Sequence, residues 1–170
     1  MVHLIVALSL ACQNPEPPKP GKHHEHLKAF AGSWDYEAIF STGAGSSRST
    51  GTSTETMSPD GLWLVMDTRA SGDVVFWGHG IVGFDSSKGK YVGVWVDSMG
   101  DYMALSEGEC SDDGKTQTVW TEVKGAAGKP VKMKQVSHLV DADNKTHVMS
   151  ITGPDGKDME VAKITFTRKK

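Results

Sequence analysis

The sequence has few cysteines, no long hydrophobic run and no excess of charge of one sign. Its apolar stretch, residues 2–11, is shorter than the roughly 20 residues that span a bilayer as a helix. A net charge of −3 without a Lys/Arg-rich run provides no electrostatic footprint for phosphate neutralisation. A membrane-spanning helix and nucleic-acid binding are therefore not expected.

Several cofactor motifs are also missing. The chain contains no Gly-rich phosphate loop, dinucleotide fingerprint, Cys-x-x-Cys pair or haem-attachment motif. The composition, with 38% hydrophobic and 23% charged residues, is that of a soluble globular domain. We therefore expect one domain, large enough to enclose a small ligand, and no cofactor.

The amino terminus has the features of an exported, lipid-anchored protein. Residues 8–12, Leu-Ser-Leu-Ala-Cys, are similar to the lipobox of bacterial lipoproteins, in which the cysteine is acylated. The prolines that follow favour an extended spacer. We predict a signal peptide at 1–11, lipidation of Cys12, a Pro-rich tether at 12–22 and a folded domain at 23–170, facing the periplasm or the cell surface. A plain cleaved signal and a disordered cytosolic tail are the alternatives.

The rest of the chain predicts one short helix followed by an all-β domain. Leu27 and Phe30 lie on one face of a helix at 23–31, and Gly32 follows where a helix would stop. Short runs rich in Val, Ile, Thr, Trp and Tyr then alternate with Gly, Pro, Asn and Asp turns. The ten predicted strands are 33–42, 47–57, 62–70, 74–84, 90–98, 102–109, 115–124, 131–140, 146–152 and 158–168.

Strand periodicity indicates how this sheet buries its core. In the first strand, Trp34, Tyr36 and Ala38 alternate with acidic residues. Short connections favour antiparallel pairing of consecutive strands. A closed up-and-down barrel would remove the edges of this meander and leave room for one ligand. A β-sandwich is the alternative.

Several segments resemble known barrel proteins. Gly32-Ser33-Trp34 after a short helix resembles the Gly-x-Trp motif of the calycin superfamily, which implies a cation–π contact across Trp34, with Arg168 as the candidate. Longer segments, above all 90–99 (Lys-Tyr-Val-Gly-Val-Trp-Val-Asp-Ser-Met), resemble the bacterial family catalogued as domain of unknown function 1579. That resemblance covers about 26–168 and implies a lipocalin-like barrel without an established activity.

Two residue clusters suggest chemistry. His23 and His26 lie one helical turn apart, but two imidazoles are fewer than the three protein ligands of a zinc site, so we expect no metal. His79, Asp97 and Ser98 contain the residue types of a catalytic triad. Adjacent strand residues point to opposite faces, however, and no Gly-x-Ser-x-Gly elbow is present. These three residues are therefore only weak catalytic candidates.

The large side chains predict a ligand cavity more clearly than a reaction. Met66, Met133, Met149 and Met159 are suited to line an adaptable apolar cavity. The predicted ligand-binding residues are Trp63, Trp77, His79, Trp95 and Asp97. A small apolar molecule or lipid is the expected partner, in addition to the membrane that holds the anchor. A hydrolase using His79 and Asp97 in the same cavity, and a filled barrel acting as an envelope interaction domain, are the alternatives.

Overall fold

The computed structural model describes residues 16–42, 45–71, 76–125, 128–153 and 156–170, and these contain one helix and ten strands. The predicted signal segment and Cys12 lie outside the described residues. The elements are α1 (Lys22–Phe30), β1 (Gly32–Thr42), β2 (Gly45–Met57), β3 (Trp63–Ser71), β4 (Trp77–Asp85), β5 (Lys90–Asp97), β6 (Ala104–Cys110), β7 (Thr116–Lys124), β8 (Pro130–Leu139), β9 (Asn144–Thr152) and β10 (Asp158–Arg168).

The strands form a closed antiparallel barrel. Each strand pairs with the next along the chain, and β10 pairs with β1, where Trp34 lies opposite Arg168 and Phe40 lies opposite Ala162. This closure confirms the predicted up-and-down barrel and excludes the sandwich. Since every strand has two paired neighbours, one sheet face turns towards the barrel axis and the other towards solvent.

Side-chain alternation determines which residues enter the barrel. On β1, Trp34, Tyr36 and Ala38 are buried, whereas Asp35 and Glu37 are exposed. The strand register extends this assignment around the wall, because residues directly opposite each other project from the same face. The inner face can therefore be followed from strand to strand through their paired positions.

Helix α1 covers one end of the barrel. Its apolar residues Leu27 and Phe30 are three positions apart and pack with the inward-facing Leu64, Tyr91 and Leu139 of three strands. The carbonyl of Phe30 accepts a hydrogen bond of 3.2 Å from Trp34 Nε1. This end is the closed end of the barrel. No helix in the described ranges is both long and apolar enough to cross a membrane.

The contact predicted between Arg168 and Trp34 is present at this end. The guanidinium carbon lies 4.1 Å from the Trp34 ring centroid, and Arg168 Nη1 donates to the carbonyl of Ala31 at 3.0 Å. Gly32 makes room for it: a β-carbon there would lie 2.0 Å from Arg168 Nη1, and φ is +148°. A side chain at position 32 would therefore be excluded both by this contact and by its backbone conformation.

Candidate functional site

The barrel interior is packed with side chains at the end covered by α1, and its side chains are more accessible to solvent towards the opposite end. Tyr91 and Leu139 are buried beside α1, whereas Trp95, Met133 and Met149 face the same interior and keep part of their surface accessible. Paired strands flank each of these residues on both sides. Their accessible surface therefore faces the inside of the barrel, in the part further from α1.

The wall of this cavity is largely apolar. Its side chains come from most of the strands, and three of them are the methionines predicted to line a cavity. Met159, the fourth predicted methionine, lies opposite Ile151 at the open end and is 51% exposed. The inward-facing, partly accessible apolar residues include Met66, Val82, Trp95, Val119, Met133, Met149, Ile151 and Ile164.

A chain of four polar side chains crosses this apolar wall. Ser137 Oγ lies 2.8 Å from His147 Nδ1, and His147 Nε2 lies 3.2 Å from Gln135 Oε1. Gln135 Nε2 then donates to Thr121 Oγ1 at 2.8 Å. With the amide in this orientation, His147 donates from Nε2, and Nδ1 accepts the hydroxyl proton of Ser137. We call these four residues the polar row.

The polar row is electrically neutral. Desolvation inside the barrel, with a smaller contribution from the nearby charge of Lys145, lowers the pKa of His147 to about 4. Its imidazole is therefore uncharged at neutral pH, and Ser137, Gln135 and Thr121 carry no charge. This arrangement suits hydrogen bonding to a ligand better than pairing with an ion.

Beneath the polar row, a buried ion pair forms part of the cavity floor. Lys145 Nζ lies 2.6 Å from Glu55 Oε1, with both side chains almost fully buried. The same ammonium lies 4.4 Å from the Trp34 ring centroid and 4.8 Å from that of Phe166. Burial lowers the pKa of Lys145, and the charge of Glu55 opposes that shift. The floor therefore contains two charged groups, and each is the counter-charge of the other.

The open end of the barrel has a carboxylate, Asp97, and an exposed surface groove. Asp97 accepts a hydrogen bond of 2.8 Å from Trp95 Nε1 and another of 2.8 Å from the backbone N–H of Met99. Asp97 also lines a surface groove of about 650 Å³, to which Trp77, Val96, Tyr102 and Met103 contribute. The groove is open to solvent, whereas the barrel interior is enclosed by its wall. We therefore place the candidate ligand site in the interior.

The structure divides the predicted binding residues between the two faces of the sheet. Trp95 and Asp97 lie on the inner face, as the ligand hypothesis requires. The inward placement of Trp77 and His79 is wrong: the inner positions next to them on β4 are Gly78 and Gly80. His79 instead contacts Asp67 on the outer face, with Nδ1 and Oδ2 3.0 Å apart.

Trp63 is also on the outside. It lies opposite Gly83, is 40% exposed, and its ring occupies the space next to that glycine. Trp120 lies opposite Lys134 on the outer face as well, 5.8 Å from the ammonium of Lys132. Of the five tryptophans, only Trp34 and Trp95 therefore point into the barrel.

The weak catalytic candidates do not assemble. His79 lies on the outer face and Asp97 on the inner face, although their strands are neighbours. Ser98 follows the end of β5, where its Oγ accepts a hydrogen bond of 3.3 Å from the backbone N–H of Trp77. Ser98 is therefore in a turn-stabilising position, and the three residues form no acid–base constellation.

The two helical histidines have a protein partner. Tyr91 Oη lies 3.2 Å from His23 Nδ1 and 3.1 Å from His26 Nδ1, and the His23 ring stacks on Phe84. Within the described part of the chain, no three His, Cys, Asp or Glu side chains are grouped as metal ligands would be. These contacts attach the start of α1 to the barrel.

Sequence reasoning did not identify the polar row, although a signal for it existed. The turn between β8 and β9 sets a register in which Leu139 faces Lys145 and Ser137 faces His147. Combined with the inward position of Met133 on β8, that register places Gln135, Ser137 and His147 inside. Polar residues at inward strand positions are unusual in a core, and they were the signal in the sequence that indicated this row.

The fold has solved counterparts of low sequence identity. Rv2717c from M. tuberculosis superposes with a TM-score of 0.65 at 13% identity, over 88% of this chain and 99% of that one. The S-type phycobiliprotein lyase CPES from Guillardia theta gives a TM-score of 0.58 at 14% identity, over 86% and 92%. At these identities the likeness shows the fold. None of the curated proteins matches the chain significantly.

A family model gives the more specific result. The model described as "Protein of unknown function (DUF1579)" matches residues 19–168, which include α1 and all ten strands. The match agrees with the resemblance carried by the segment at 90–99. The chain therefore belongs to the DUF1579 family, and its fold is a closed, lipocalin-like barrel.

Proposed function

We propose that this protein binds a small, largely apolar molecule inside its barrel without covalent chemistry. The observation that carries the proposal is the partial accessibility of inward-facing side chains such as Trp95, Met133 and Met149 in a barrel whose other end is filled. Apolar enclosure with a few convergent polar groups is typical of small-molecule sites. The likeness to a phycobiliprotein lyase supports a small-molecule role for the same fold.

Two tryptophan substitutions on neighbouring residues test this proposal. Ser106 faces inward opposite Gly93 and Thr121, whereas Leu105 faces outward and is 66% exposed. Ser106→Trp should fill the cavity and reduce binding of Nile red at least about tenfold, while Leu105→Trp should leave binding unchanged. Fluorescence titration of the full chain with Cys12→Ser measures both. Equal binding by the two variants would overturn the proposal.

An interaction domain is the second candidate, because apolar side chains are exposed at the open end. Met99 and Met103 are 78% and 67% exposed, and Leu105 continues this surface onto the outside of β6. Exposed apolar patches are typical of interaction sites. If this surface carries the function, Leu105→Asp should abolish partner and probe binding, and Ser106→Trp should have no effect.

We further propose that Cys12 carries the lipid anchor and that the barrel works in the cell envelope. The support is the lipobox-like segment 8–12 and the proline-rich residues after it. Residues 16–21, the part of this spacer that the structure describes, are exposed and lie outside any helix or strand. Cys12→Ser should release the protein from the membrane fraction and abolish incorporation of labelled palmitate. Retention of both in the variant would exclude acylation at this cysteine.

A further inference from the structure

We propose that the cavity selects amphiphiles with an uncharged polar head, such as primary amides and alcohols, and that this head binds deep in the barrel against Gln135 and Ser137. The inference rests on the proposed binding function and specifies the polar end of the ligand. Its basis is the position, neutrality and unused hydrogen-bonding capacity of the polar row.

The polar row lies just above the floor of the cavity. Leu139 and Lys145, the pair nearest α1, are followed two residues further along the strands by Ser137 and His147. Towards the mouth the next inward pairs are Gln135 with Met149 and Met133 with Ile151. A ligand lying along the barrel axis would therefore have its polar end deep and its apolar body among the methionines.

Among the residues that the structure describes, those paired with the polar row across the strands carry no unpaired charge. Gln117 and Val119 of β7 lie opposite Ser137 and Gln135, and Ile164 of β10 lies opposite His147. These neighbours are uncharged. The ammonium of Lys145 lies below and is paired with Glu55 at 2.6 Å. A carboxylate or ammonium head brought here would lose its hydration without gaining an unpaired counter-charge.

The polar row nevertheless has capacity left for a ligand. Gln135 has two amide N–H groups, and one donates to Thr121. Ser137 donates its single proton to His147, so its oxygen can still accept a hydrogen bond. Both side chains lie on the inner face and are only partly buried. A primary amide or an alcohol can accept from Gln135 and donate to Ser137, whereas a carboxylate can only accept.

A displacement assay measures this selectivity. The full chain with Cys12→Ser is loaded with Nile red, which decanamide and decanoate then displace at pH about 8. We expect decanamide to bind at least about tenfold more tightly than decanoate, which corresponds to about 1.4 kcal/mol. Decanamide affinity should be equal at pH about 8 and about 6, because neither the amide nor the polar row changes charge in that range.

Variants of the polar row have a matched control on the outer face. Thr116 Oγ1 lies 2.9 Å from His138 Nδ1, which repeats the hydroxyl–imidazole contact of Ser137 and His147 outside the barrel. Ser137→Ala and Gln135→Leu should each weaken decanamide binding about fivefold and leave decanoate binding unchanged. Thr116→Ala should change neither. Near-ultraviolet circular dichroism verifies that each variant is folded.

The outcomes separate this inference from the proposed function. If Nile red binds and decanoate binds as tightly as decanamide or more tightly, the proposed selectivity is wrong. The proposed binding function would still stand. The selectivity is also overturned if Ser137→Ala and Gln135→Leu both fold and retain the full preference for decanamide. Failure of Nile red, decanamide and decanoate all to bind overturns the proposed function together with the inference.

Discussion

The indole ring of Trp95 lies against the backbone of Gly78 inside the barrel. A β-carbon at Gly78 would be only 2.2 Å from Trp95 Cζ2, and one at Gly80 would be 2.8 Å from Cε3 of the same ring. Two glycines on β4 thus provide the space for one large side chain from β5. Trp95 is held there by Asp97, which accepts the indole N–H at 2.8 Å.

Alanine at Gly78 should therefore displace the Trp95 ring. We expect Gly78→Ala to lower the free energy of unfolding by about 1–3 kcal/mol, the usual cost of overpacking, and to alter tryptophan fluorescence. Urea denaturation measures the loss. In the background of Trp95→Leu, which removes the ring, the same substitution should cost less than about 1 kcal/mol. An equal cost in both backgrounds would contradict the packing described.

The buried ion pair predicts strong coupling between its members. Glu55→Gln leaves the ammonium of Lys145 buried without its counter-charge, so the free energy of unfolding should fall by about 3–5 kcal/mol. The double variant Glu55→Leu, Lys145→Met should recover most of that loss, because both charges are removed together. Urea unfolding of Glu55→Leu, of Lys145→Met and of the double variant gives the coupling energy. If the loss of unfolding free energy in the double variant equals the sum of the losses in its two single variants, the two residues are not coupled.

Arg168 should contribute more to stability than an exposed arginine. Arg168→Met removes the contact with Trp34 and hydrogen bonds to the carbonyls of Ala31 and Ala142. The expected loss is about 2–3 kcal/mol. Arg48→Met, which removes an exposed pair with Glu37, should cost less than about 1 kcal/mol. Equal midpoints for the two variants in thermal unfolding would refute the role assigned to Arg168.

The lowered pKa of His147 predicts a pH dependence of stability. The unfolded imidazole has a pKa of 6.5 and the folded one of about 4. The unfolded chain therefore binds more protons between these values, and the free energy of unfolding should fall as the pH decreases through this window. His147→Gln should flatten this dependence. The pKa of His23 is also lowered by burial, so a shallower slope of the same sign should remain.

The outer-face histidine provides the control for this pH profile. His138 is exposed and contacts Thr116, so His138→Gln should leave the slope of the wild-type profile in place. Urea midpoints measured at intervals across the window compare the two variants. A wild-type slope that persists in His147→Gln would show that this imidazole is not the desolvated group.

The fold could be predicted from the sequence because local signals agreed with one another. Turn residues separated the strands, and β1 showed clear alternation from Trp34 to Ala38 between polar neighbours. The helix predicted at 23–31 is α1 at Lys22–Phe30, one residue away at each end. The resemblance around Gly32 and Trp34 also implied the contact with Arg168 that the structure contains.

The candidate site was harder to predict because the inner face breaks the usual hydrophobic pattern. On β4 the large residues Trp77 and Ile81 lie outside, while the inner positions between them, Gly78 and Gly80, are glycines that accommodate Trp95. Alternation of residue types alone therefore assigned the large residues of β4 to the wrong face of the sheet. On β8 and β9 the inner face contains Gln135, Ser137 and His147, whose polar atoms bond to one another and to Thr121 across the strands. Such contacts depend on register, which spacing within one strand does not reveal.

Native mass spectrometry of the protein purified from its source tests the central claim most directly. The account predicts one small apolar molecule retained by each chain, recovered by organic extraction and lost in Ser106→Trp but not in Leu105→Trp. A bare polypeptide that also fails to take up Nile red would contradict the cavity and leave the filled, interaction-type barrel as the better description.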